Sequence, residues 1–224
     1  MAVQPSGDDG DARVGDRREQ IRGLAAEMFF ERGYESTSIR ELAAALDIKA
    51  ASLYYHFPDK EQILFELVGS VLEQLLDGAR ALVKRQESPG LQLAALVVNH
   101  VVLHALRPKE TTLGDSELRS LTGERLEVNI RIRDTYERLV IDVLERGRDE
   151  GAFDVIDAKL TAYAIIAQAS HVGTWYDAHG RLSLEQVTKV HVELALRMVA
   201  TAPAAATDIR RLVREVRAYH DQRP

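Results

Sequence analysis

The chain has 224 residues, of which 46% are hydrophobic and 29% charged, with a formal net charge of −6 and a pI of about 5.7. This length allows one large domain or two modest ones, with enough apolar side chains for a core. The absence of cysteine excludes disulfides, thiolate nucleophiles and Cys-based metal sites. The negative net charge argues against a general nucleic-acid coat protein.

Residues 1–16 are rich in Gly, Asp, Ser and Pro, which predicts a disordered tail. They contain no apolar segment typical of a signal peptide. No apolar run in the chain approaches the ~20 residues that a membrane-spanning helix needs, so we expect a cytoplasmic protein with no membrane partner. Three arginines lie where this tail ends, and they are either a solvated charged end or an arm that contacts DNA: Arg13, Arg17 and Arg18.

The first third of the chain has helical periodicity in its apolar residues, which predicts helices at about 17–32, 39–46 and 49–57. Gly33 supplies the stop after the first helix. Ser38 and Glu41 have the spacing of a capping box at the start of the second. Two short helices braced by a longer one describe a helix-turn-helix unit.

The rest of the chain repeats this pattern of apolar stripes and capping residues. Asp59 with Gln62, and Ser183 with Gln186, predict two further helix starts. The predicted helices lie at about 59–86, 91–106, 111–120, 123–150, 157–178, 184–201 and 207–220. No strand pattern occurs, so the predicted fold class is all-α. We divide the chain into the tail at 1–16, a helix-turn-helix domain at 17–64, and a ligand-binding and dimerisation domain at 65–224.

Enzyme motifs are absent from the sequence. It contains no P-loop, no G-x-S-x-G and no H-E-x-x-H, so we predict no catalytic residue, no cofactor and no metal. His100 and His104 share one helix face at i, i+4 spacing. They are either hydrogen-bonded or pocket-lining side chains or, as a remote alternative, part of a metal-dependent enzyme site completed by His171.

The third predicted helix is the strongest candidate for a functional surface. It offers a cation, hydroxyls and an imidazole with little bulk between them, and small residues let a helix approach base edges in the major groove. Lys60 adds a cation beside the next helix start. Leu53 and Phe57 are expected to be core, whereas Tyr54 fits either role. The candidate DNA contacts on this stretch are Lys49, Ala50, Ser52, Tyr54, Tyr55, His56 and Lys60.

The N-terminal segment resembles the DNA-binding domain of the TetR family of transcriptional regulators. The resemblance is carried by Phe29-x-x-x-Gly33-Tyr34-x-x-Thr37-Ser38-Ile39-x-x-Leu42-Ala43 and by Ile48-x-x-x-Ser52-Leu53-Tyr54-Tyr55-His56-Phe57-x-x-Lys60-Glu61. It implies an all-α homodimer that binds double-stranded operator DNA, with no enzymatic activity. It also implies that Thr37 touches DNA together with residues of the third helix, and we include the neighbouring Ser38. Asp47, Lys49 and Ala51 depart from the family pattern, and the last two leave the operator sequence open.

The C-terminal part is similar, at one segment, to a branch of the family that regulates fatty-acid and steroid breakdown and responds to acyl-CoA thioesters. The segment is Thr174-Trp175-Tyr176-x-x-x-Gly180-Arg181-Leu182-Ser183-x-Glu185-Gln186-Val187. The candidate polar anchors for such an effector are Asn99, His100, His104, Asn129, Arg133, Gln168, His171 and Trp175. Trp175 fits simple packing equally well.

The predicted function is a ligand-responsive repressor that a small apolar effector, an acyl-CoA thioester, releases from DNA. The alternative is a multidrug-sensing repressor of an efflux gene, whose pocket would need aromatic and acidic groups. We expect the helices at 157–178 and 184–201 to form a four-helix dimer interface. The last helix, 207–220, either packs on the partner or covers the pocket.

Overall fold

The computed structural model describes residues 8–200, 214–218 and 220, with side chains from residue 17 onward. These residues are helical throughout apart from connecting turns, and no named strand occurs among them. The all-α prediction is therefore confirmed. The helices are α1 (Asp8–Arg32), α2 (Ile39–Ala45), α3 (Ala50–His56), α4 (Lys60–Val83), α5 (Pro89–Leu106), α6 (Pro108–Ser116), α7 (Gly123–Asp149), α8 (Ala158–Ser170), α9 (Val172–Trp175) and α10 (Leu184–Met198).

The predicted helix starts are confirmed where a side chain caps the backbone. Ser38 and Glu41 form a reciprocal capping box at α2, and Ser183 forms another with Gln186 at α10. The Asp59 carboxylate accepts a hydrogen bond from the Gln62 backbone N–H at 2.6 Å and so begins α4. These caps satisfy N–H groups that a helix terminus otherwise leaves without partners.

Two predicted boundaries are wrong. Helix α1 begins at Asp8 rather than at about residue 17, and residues 1–7 of the predicted tail lie outside the described ranges. Acidic residues at a helix start favour this extension because they complement the helix dipole. The predicted helix at 157–178 is broken at His171, which ends α8 and precedes the short α9.

Apolar side chains form two cores. The smaller one joins α1, α2 and α3 to the first two turns of α4, and it also takes in Leu113 and Leu121. The larger core surrounds α5. Helix α5 has 18 residues and a mean hydropathy of 1.4, enough by length and composition to cross a membrane, which corrects the expectation that no run comes near that length. Because 78% of it is buried, its apolar surface is already covered by neighbouring helices.

The last predicted helix is described only in part, since 207–213 lie outside the described ranges. Residues 214–218 and 220 are helical. Val216 is fully buried in the larger core, and His220 Nε2 lies 3.1 Å from Asn99 Oδ1 on α5. This segment therefore packs against its own subunit.

Candidate DNA-binding surface and effector cavity

Helix α3 presents one face to the smaller core and the other to solvent. Leu53 within it and Phe57 at its C-terminal end are fully buried. On the other side, Tyr55 is 78% exposed and Tyr54 52%, which places Tyr54 mainly on the outer face. Lys49 and Ser52 are also exposed. The result is a short helix held by apolar anchors, with a cation and hydroxyl groups facing outward.

The turn between α2 and α3 is tight. Asp47 has a φ of 53°, in the left-handed region that Asp tolerates better than most residues. The Ile48 N–H donates to the Ala43 carbonyl at 3.0 Å, which closes the turn. Asp47 therefore takes the conformation that glycine would otherwise supply.

Two predicted DNA contacts are already engaged inside the domain. Thr37 is only 2% exposed, and its hydroxyl donates to the Gly33 carbonyl at 3.0 Å, so this hydroxyl cannot face DNA. The half-buried Lys60 ammonium donates to the Tyr34 carbonyl at 2.8 Å and lies 4.1 Å from the Tyr34 ring centroid. Gly33, directly after α1, has a φ of 88°. The chain therefore turns there in a direction that brings Thr37 and Lys60 to the same loop. Thr37 and Lys60 thus brace the loop before α2.

Three further candidates differ in exposure and in what they offer an outside partner. Ser38 is exposed, and its oxygen accepts from the Glu41 N–H at 3.2 Å while its hydroxyl hydrogen is not used in that bond. Ala50 is half-buried at the start of α3. His56 is also half-buried, and burial, followed by the charges of Arg18 and Arg17, lowers its pKa, so its ring is neutral at pH 7.

Arg18 has a role that the sequence did not indicate. Its guanidinium donates to the His56 carbonyl at the end of α3 and to the Glu66 carboxylate on α4, and it lies 4.3 Å from the Phe57 ring centroid. Arg18 therefore clamps α3 to α4 instead of reaching outward as an arm. Its spacing from the buried Ile21 was the available signal, because residues three apart share a helix face.

The DNA-binding unit is fixed to the larger domain through polar contacts at the start of α4. Two Arg125 N–H groups from the first turn of α7 donate to the two Asp59 carboxylate oxygens at 2.9 and 3.0 Å. The Thr122 N–H donates to the Glu61 carboxylate at 2.7 Å. Burial alone would raise the pKa of Asp59, but hydrogen bonds from Arg125 and from the Gln62 N–H lower it below its ordinary value.

Helix α6 lies between the two functional parts. Leu113 is buried in the smaller core with the DNA-binding helices. Thr111, Gly114 and Asp115, on the same short helix, line a cavity in the larger domain. A change in the position of α6 would therefore alter both the smaller core and the wall of the cavity.

The cavity has a volume of about 220 Å³, larger than the ~150 Å³ of an engineered apolar cavity that holds benzene. Its wall is mostly apolar and comes from five helices. The lining residues are Val71, Leu72 and Leu75 of α4, His100, Leu103 and His104 of α5, Thr111, Gly114 and Asp115 of α6, Ile132, Arg133, Tyr136 and Glu137 of α7, and Tyr163, Ile166 and Ser170 of α8.

A hydrogen-bonded histidine pair forms part of the cavity wall. His100 Nδ1 lies 2.8 Å from the Tyr136 hydroxyl and Nε2 lies 2.9 Å from the Ser170 hydroxyl. The His104 ring stacks on His100 with centroids 4.3 Å apart, and its Nδ1 donates to the His100 carbonyl at 2.9 Å. Burial lowers the pKa of both histidines, that of His100 strongly, so both are neutral at pH 7. Burial also raises the pKa of Tyr136, which keeps its hydroxyl protonated.

Charged side chains are paired where the cavity meets solvent. Arg133 donates to Asp115 at 2.8 Å and to the Gly114 carbonyl at 3.1 Å. Lys159 lies 3.9 Å from Glu137 and 5.6 Å from the Tyr163 ring centroid. All of these side chains are partly exposed. They form a rim with two cations and two carboxylates.

The predicted effector anchors divide into two groups. His100, His104 and Arg133 line the cavity, as expected of anchors. The others do not line it: Asn99 and Asn129 are buried and donate to backbone carbonyls, Gln168 is half-buried, His171 bonds Thr174, and Trp175 stacks on His191. The predicted anchors did not include Tyr136, Asp115 or Ser170, which also line the cavity.

The histidine pair does not have the surroundings of a metal site. Both ring nitrogens of His100 take part in hydrogen bonds with protein hydroxyls. Within the described ranges, no group of three or more His, Asp or Glu side chains is arranged to hold an ion. His171 lies apart and does not join the pair to complete one.

Comparison with known families decides the class of protein. A family described as "Bacterial regulatory proteins, tetR family" matches residues 21–67, and one described as "Tetracyclin repressor-like, C-terminal domain" matches residues 86–199. The chain belongs to the TetR family. The resemblance of its N-terminal segment is thus confirmed, as is a helix-turn-helix DNA-binding region followed by a helical C-terminal domain. The members of this family are transcriptional regulators.

Several relatives cover most of this TetR-family chain. The HTH-type transcriptional repressor KstR2 of Rhodococcus jostii strain RHA1 is 28% identical over 200 residues, which is 88% of this chain and 97% of that one. The structure of the ketosteroid transcriptional regulator KstR2 of Mycobacterium tuberculosis has a TM-score of 0.78 and 26% identity, covering 83% and 96%. AibR in complex with isovaleryl coenzyme A and operator DNA has a TM-score of 0.73 and 26% identity, covering 80% and 97%.

Proposed function

We propose that this TetR-family protein is a cytoplasmic, homodimeric transcriptional repressor whose DNA binding is controlled by a small apolar effector. The observation that carries the proposal is the position of α6, which packs into the DNA-binding core through Leu113 and lines the cavity through Thr111, Gly114 and Asp115. An effector that shifts α6 must therefore alter the packing of the helices that hold α3.

The proposed DNA contacts lie on the outward face of α3 and at the start of α2. Exposed hydroxyls and one cation can bind phosphates and base edges when α3 enters the major groove. The segment from Arg13 to Lys60 has eight basic and eight acidic residues, so binding rests on placement more than on net charge. The proposed contact residues are Ser38, Lys49, Ala50, Ser52, Tyr54, Tyr55 and His56.

Exposed apolar side chains on α8 and α10 support a homodimer. Leu160 on α8 is exposed, as are Val190, Leu194 and Met198 on α10. Large apolar patches on a soluble chain mark interaction surfaces, and two such helices from each subunit make a four-helix interface. A two-fold axis there would place the two α3 helices in successive major grooves, about 34 Å apart.

The proposed switch has two states. Without effector, the dimer holds its α3 helices at the spacing of the operator. Effector in the cavity favours a state in which α6 and α4 move, and the Asp59–Arg125 contact carries that movement to the end of α3. Only a difference in effector affinity between the two states can drive the shift.

We propose an acyl-CoA thioester from fatty-acid or steroid breakdown as the effector. Two similar proteins support this class: AibR was solved with isovaleryl coenzyme A, and KstR2 is described as a ketosteroid regulator. A cavity of about 220 Å³ can take an acyl group but not the coenzyme head group. The phosphates of that head group would lie outside, where Arg133 and Lys159 supply cations.

The test is a gel-shift titration with the DNA upstream of the protein's own gene. We expect tight binding that is lost on addition of acyl-CoAs within a limited range of chain length. Tyr55→Ala and Lys49→Ala should weaken binding without changing the fold. If no thioester of any length alters binding, the proposed effector class is wrong, and unchanged binding by both variants would remove the proposed contact surface.

A multidrug-sensing role is supported by one feature of the cavity. Two tyrosines, Tyr136 and Tyr163, and two carboxylates, Asp115 and Glu137, line it, and such groups suit a lipophilic cation. Both carboxylates already have cationic partners, so a lipophilic cation would have to compete with Arg133 and Lys159 for them. If a lipophilic organic cation releases the DNA at a concentration where acyl-CoAs have no effect, the multidrug-sensing role is correct.

A further inference from the structure

One ring nitrogen on the cavity wall is a hydrogen-bond acceptor without a donor. His104 Nδ1 lies 2.9 Å from the His100 carbonyl, and a carbonyl can only accept, so Nδ1 carries the proton. In the neutral ring, Nε2 then carries no proton and can only accept a hydrogen bond. No hydrogen bond to it occurs among the described residues, and an Asp115 carboxylate oxygen lies 3.9 Å from it. These two acceptor atoms are too close together for a donor atom to fit between them, so a donor to Nε2 approaches from the cavity, which both residues line.

The same wall also has one unused donor. His100 is neutral, so one of its nitrogens donates and the other accepts in its bonds to Tyr136 and Ser170. If Nε2 donates to Ser170, the Ser170 hydrogen remains unused, and if Nδ1 donates to Tyr136, the Tyr136 hydrogen remains unused. Either tautomer leaves one hydroxyl hydrogen on the cavity wall, since both residues line the cavity.

A hydroxyl group is the smallest chemical group that satisfies both requirements, because it donates through its hydrogen and accepts through its oxygen. In solution, water meets the same needs. A ligand that displaces such water without replacing its hydrogen bonds loses affinity. A purely hydrocarbon ligand would leave the His104 acceptor and the hydroxyl donor without partners.

We propose that the effector is a hydroxylated apolar molecule whose hydroxyl group binds at the His100–His104 pair, donating to His104 Nε2 beside Asp115. This rests on the proposed function in taking the cavity as the effector site. It narrows the effector to one that carries an alcohol on the part entering the cavity, such as a hydroxylated acyl chain or ring.

The test compares three eight-membered rings of matched shape, cyclooctanol, cyclooctanone and cyclooctane, by calorimetry on the full-length protein. The alcohol and the ketone both accept, but only the alcohol donates to His104. We expect cyclooctanol to bind roughly 3- to 10-fold more tightly than cyclooctanone, the range for one net hydrogen bond. Cyclooctane should bind less tightly than the alcohol.

Two variants assign that preference to His104. In His104→Phe the acceptor is lost, and the alcohol and ketone should bind alike. His191→Phe makes the same change at a half-buried histidine of α10 that does not line the cavity, and it should keep the preference. If His104→Phe does not fold, Asp115→Asn serves instead, because its amide can donate to Nε2 and remove the unpaired acceptor.

Equal binding of alcohol and ketone by the wild type, a preference that survives in His104→Phe or its substitute Asp115→Asn, or no binding of any ring would overturn the proposal. Its failure is separable from that of the thioester class. Thioesters that release DNA while the rings show no preference would refute only the hydroxyl. A clear alcohol preference with no thioester effect on DNA would refute only the thioester.

Discussion

The contact between Asp59 and Arg125 links α7 to the residue that begins α4 directly after the DNA-reading helix. Arg125→Gln removes the guanidinium but leaves the Asp59 carboxylate to cap α4 through the Gln62 N–H. Asp59→Ala removes both the ion pair and the cap. Comparing these variants and their combination separates the contribution of the ion pair from that of the cap.

The expected magnitudes follow from exposure and geometry. The Arg125 side chain is 26% exposed and that of Asp59 48%, so solvent screens the pair in part. A two-point guanidinium–carboxylate contact of this kind contributes about 1 kcal/mol to the free energy of unfolding. Loss of the cap costs about 1 kcal/mol more. We therefore expect a loss of about 1 kcal/mol for Arg125→Gln, about 2 kcal/mol for Asp59→Ala, and a coupling energy of about 1 kcal/mol.

Urea unfolding of the wild type, the two single variants and the double variant at pH 7 gives the coupling energy. The pKa of Asp59 is lowered in the fold, so this contribution is complete above the ordinary carboxyl pKa of about 3.9 and is lost as pH falls through the lowered value. A coupling energy near zero at pH 7, or one that does not decrease as pH falls below the ordinary carboxyl pKa of about 3.9, would refute the assignment. In gel shifts, Arg125→Gln should also reduce the change in operator affinity that effector produces.

Three further outcomes are expected. Tyr55→Ala should lower operator affinity about tenfold, measured by gel shift, while the melting temperature stays unchanged because the side chain is 78% exposed. Thr37→Val should lower the free energy of unfolding by about 1 kcal/mol in urea, since the hydroxyl bonds only inside the domain, and operator affinity of the folded protein should not change. Leu194→Asp should convert the proposed dimer to a monomer in size-exclusion chromatography with light scattering, whereas Ile130→Asp, an exposed residue of α7, should not.

Local chemistry made much of the fold predictable. The caps at Ser38, Asp59 and Ser183 depend only on residues three positions apart, so the sequence alone identifies them. The left-handed turn at Asp47 is one that an aspartate side chain tolerates, so the local sequence is compatible with it. The break at His171 was not predictable, because an Ala-rich segment has no breaking residue there and the interruption depends on packing.

The composition of the cavity wall was only partly predictable. Periodicity shows that a residue is buried, but it does not distinguish a side chain in a packed core from one beside a cavity. Asn99 and His100 are neighbours on α5, and yet Asn99 bonds the Leu75 carbonyl while His100 lines the cavity. Tyr136 and Ser170 become recognisable only once the helices that carry them are placed around the His100 ring.

The DNA surface shows the same limit for polar residues. A family motif places Thr37 and Lys60 near the DNA-reading helix, but the motif alone cannot separate a residue that contacts DNA from one that holds the loop. The hydrogen bonds of Thr37 to Gly33 and of Lys60 to Tyr34 make that distinction. Tyr55, in contrast, is exposed as expected of a DNA contact, and Tyr54, which fitted either role in the sequence, is also exposed.

The place of α6 between the cavity and the DNA-binding core has an evolutionary consequence. An α-helix is about 10 Å across with its side chains, so ligand recognition and DNA output are separated by the width of one helix. The cavity-lining side chains of α5 and α8, helices that contribute nothing to the smaller core, can therefore change and acquire a new ligand while the contact of Leu113 with the DNA-binding core stays the same. Specificity for the effector and control of the operator can thus diverge independently among descendants of this chain.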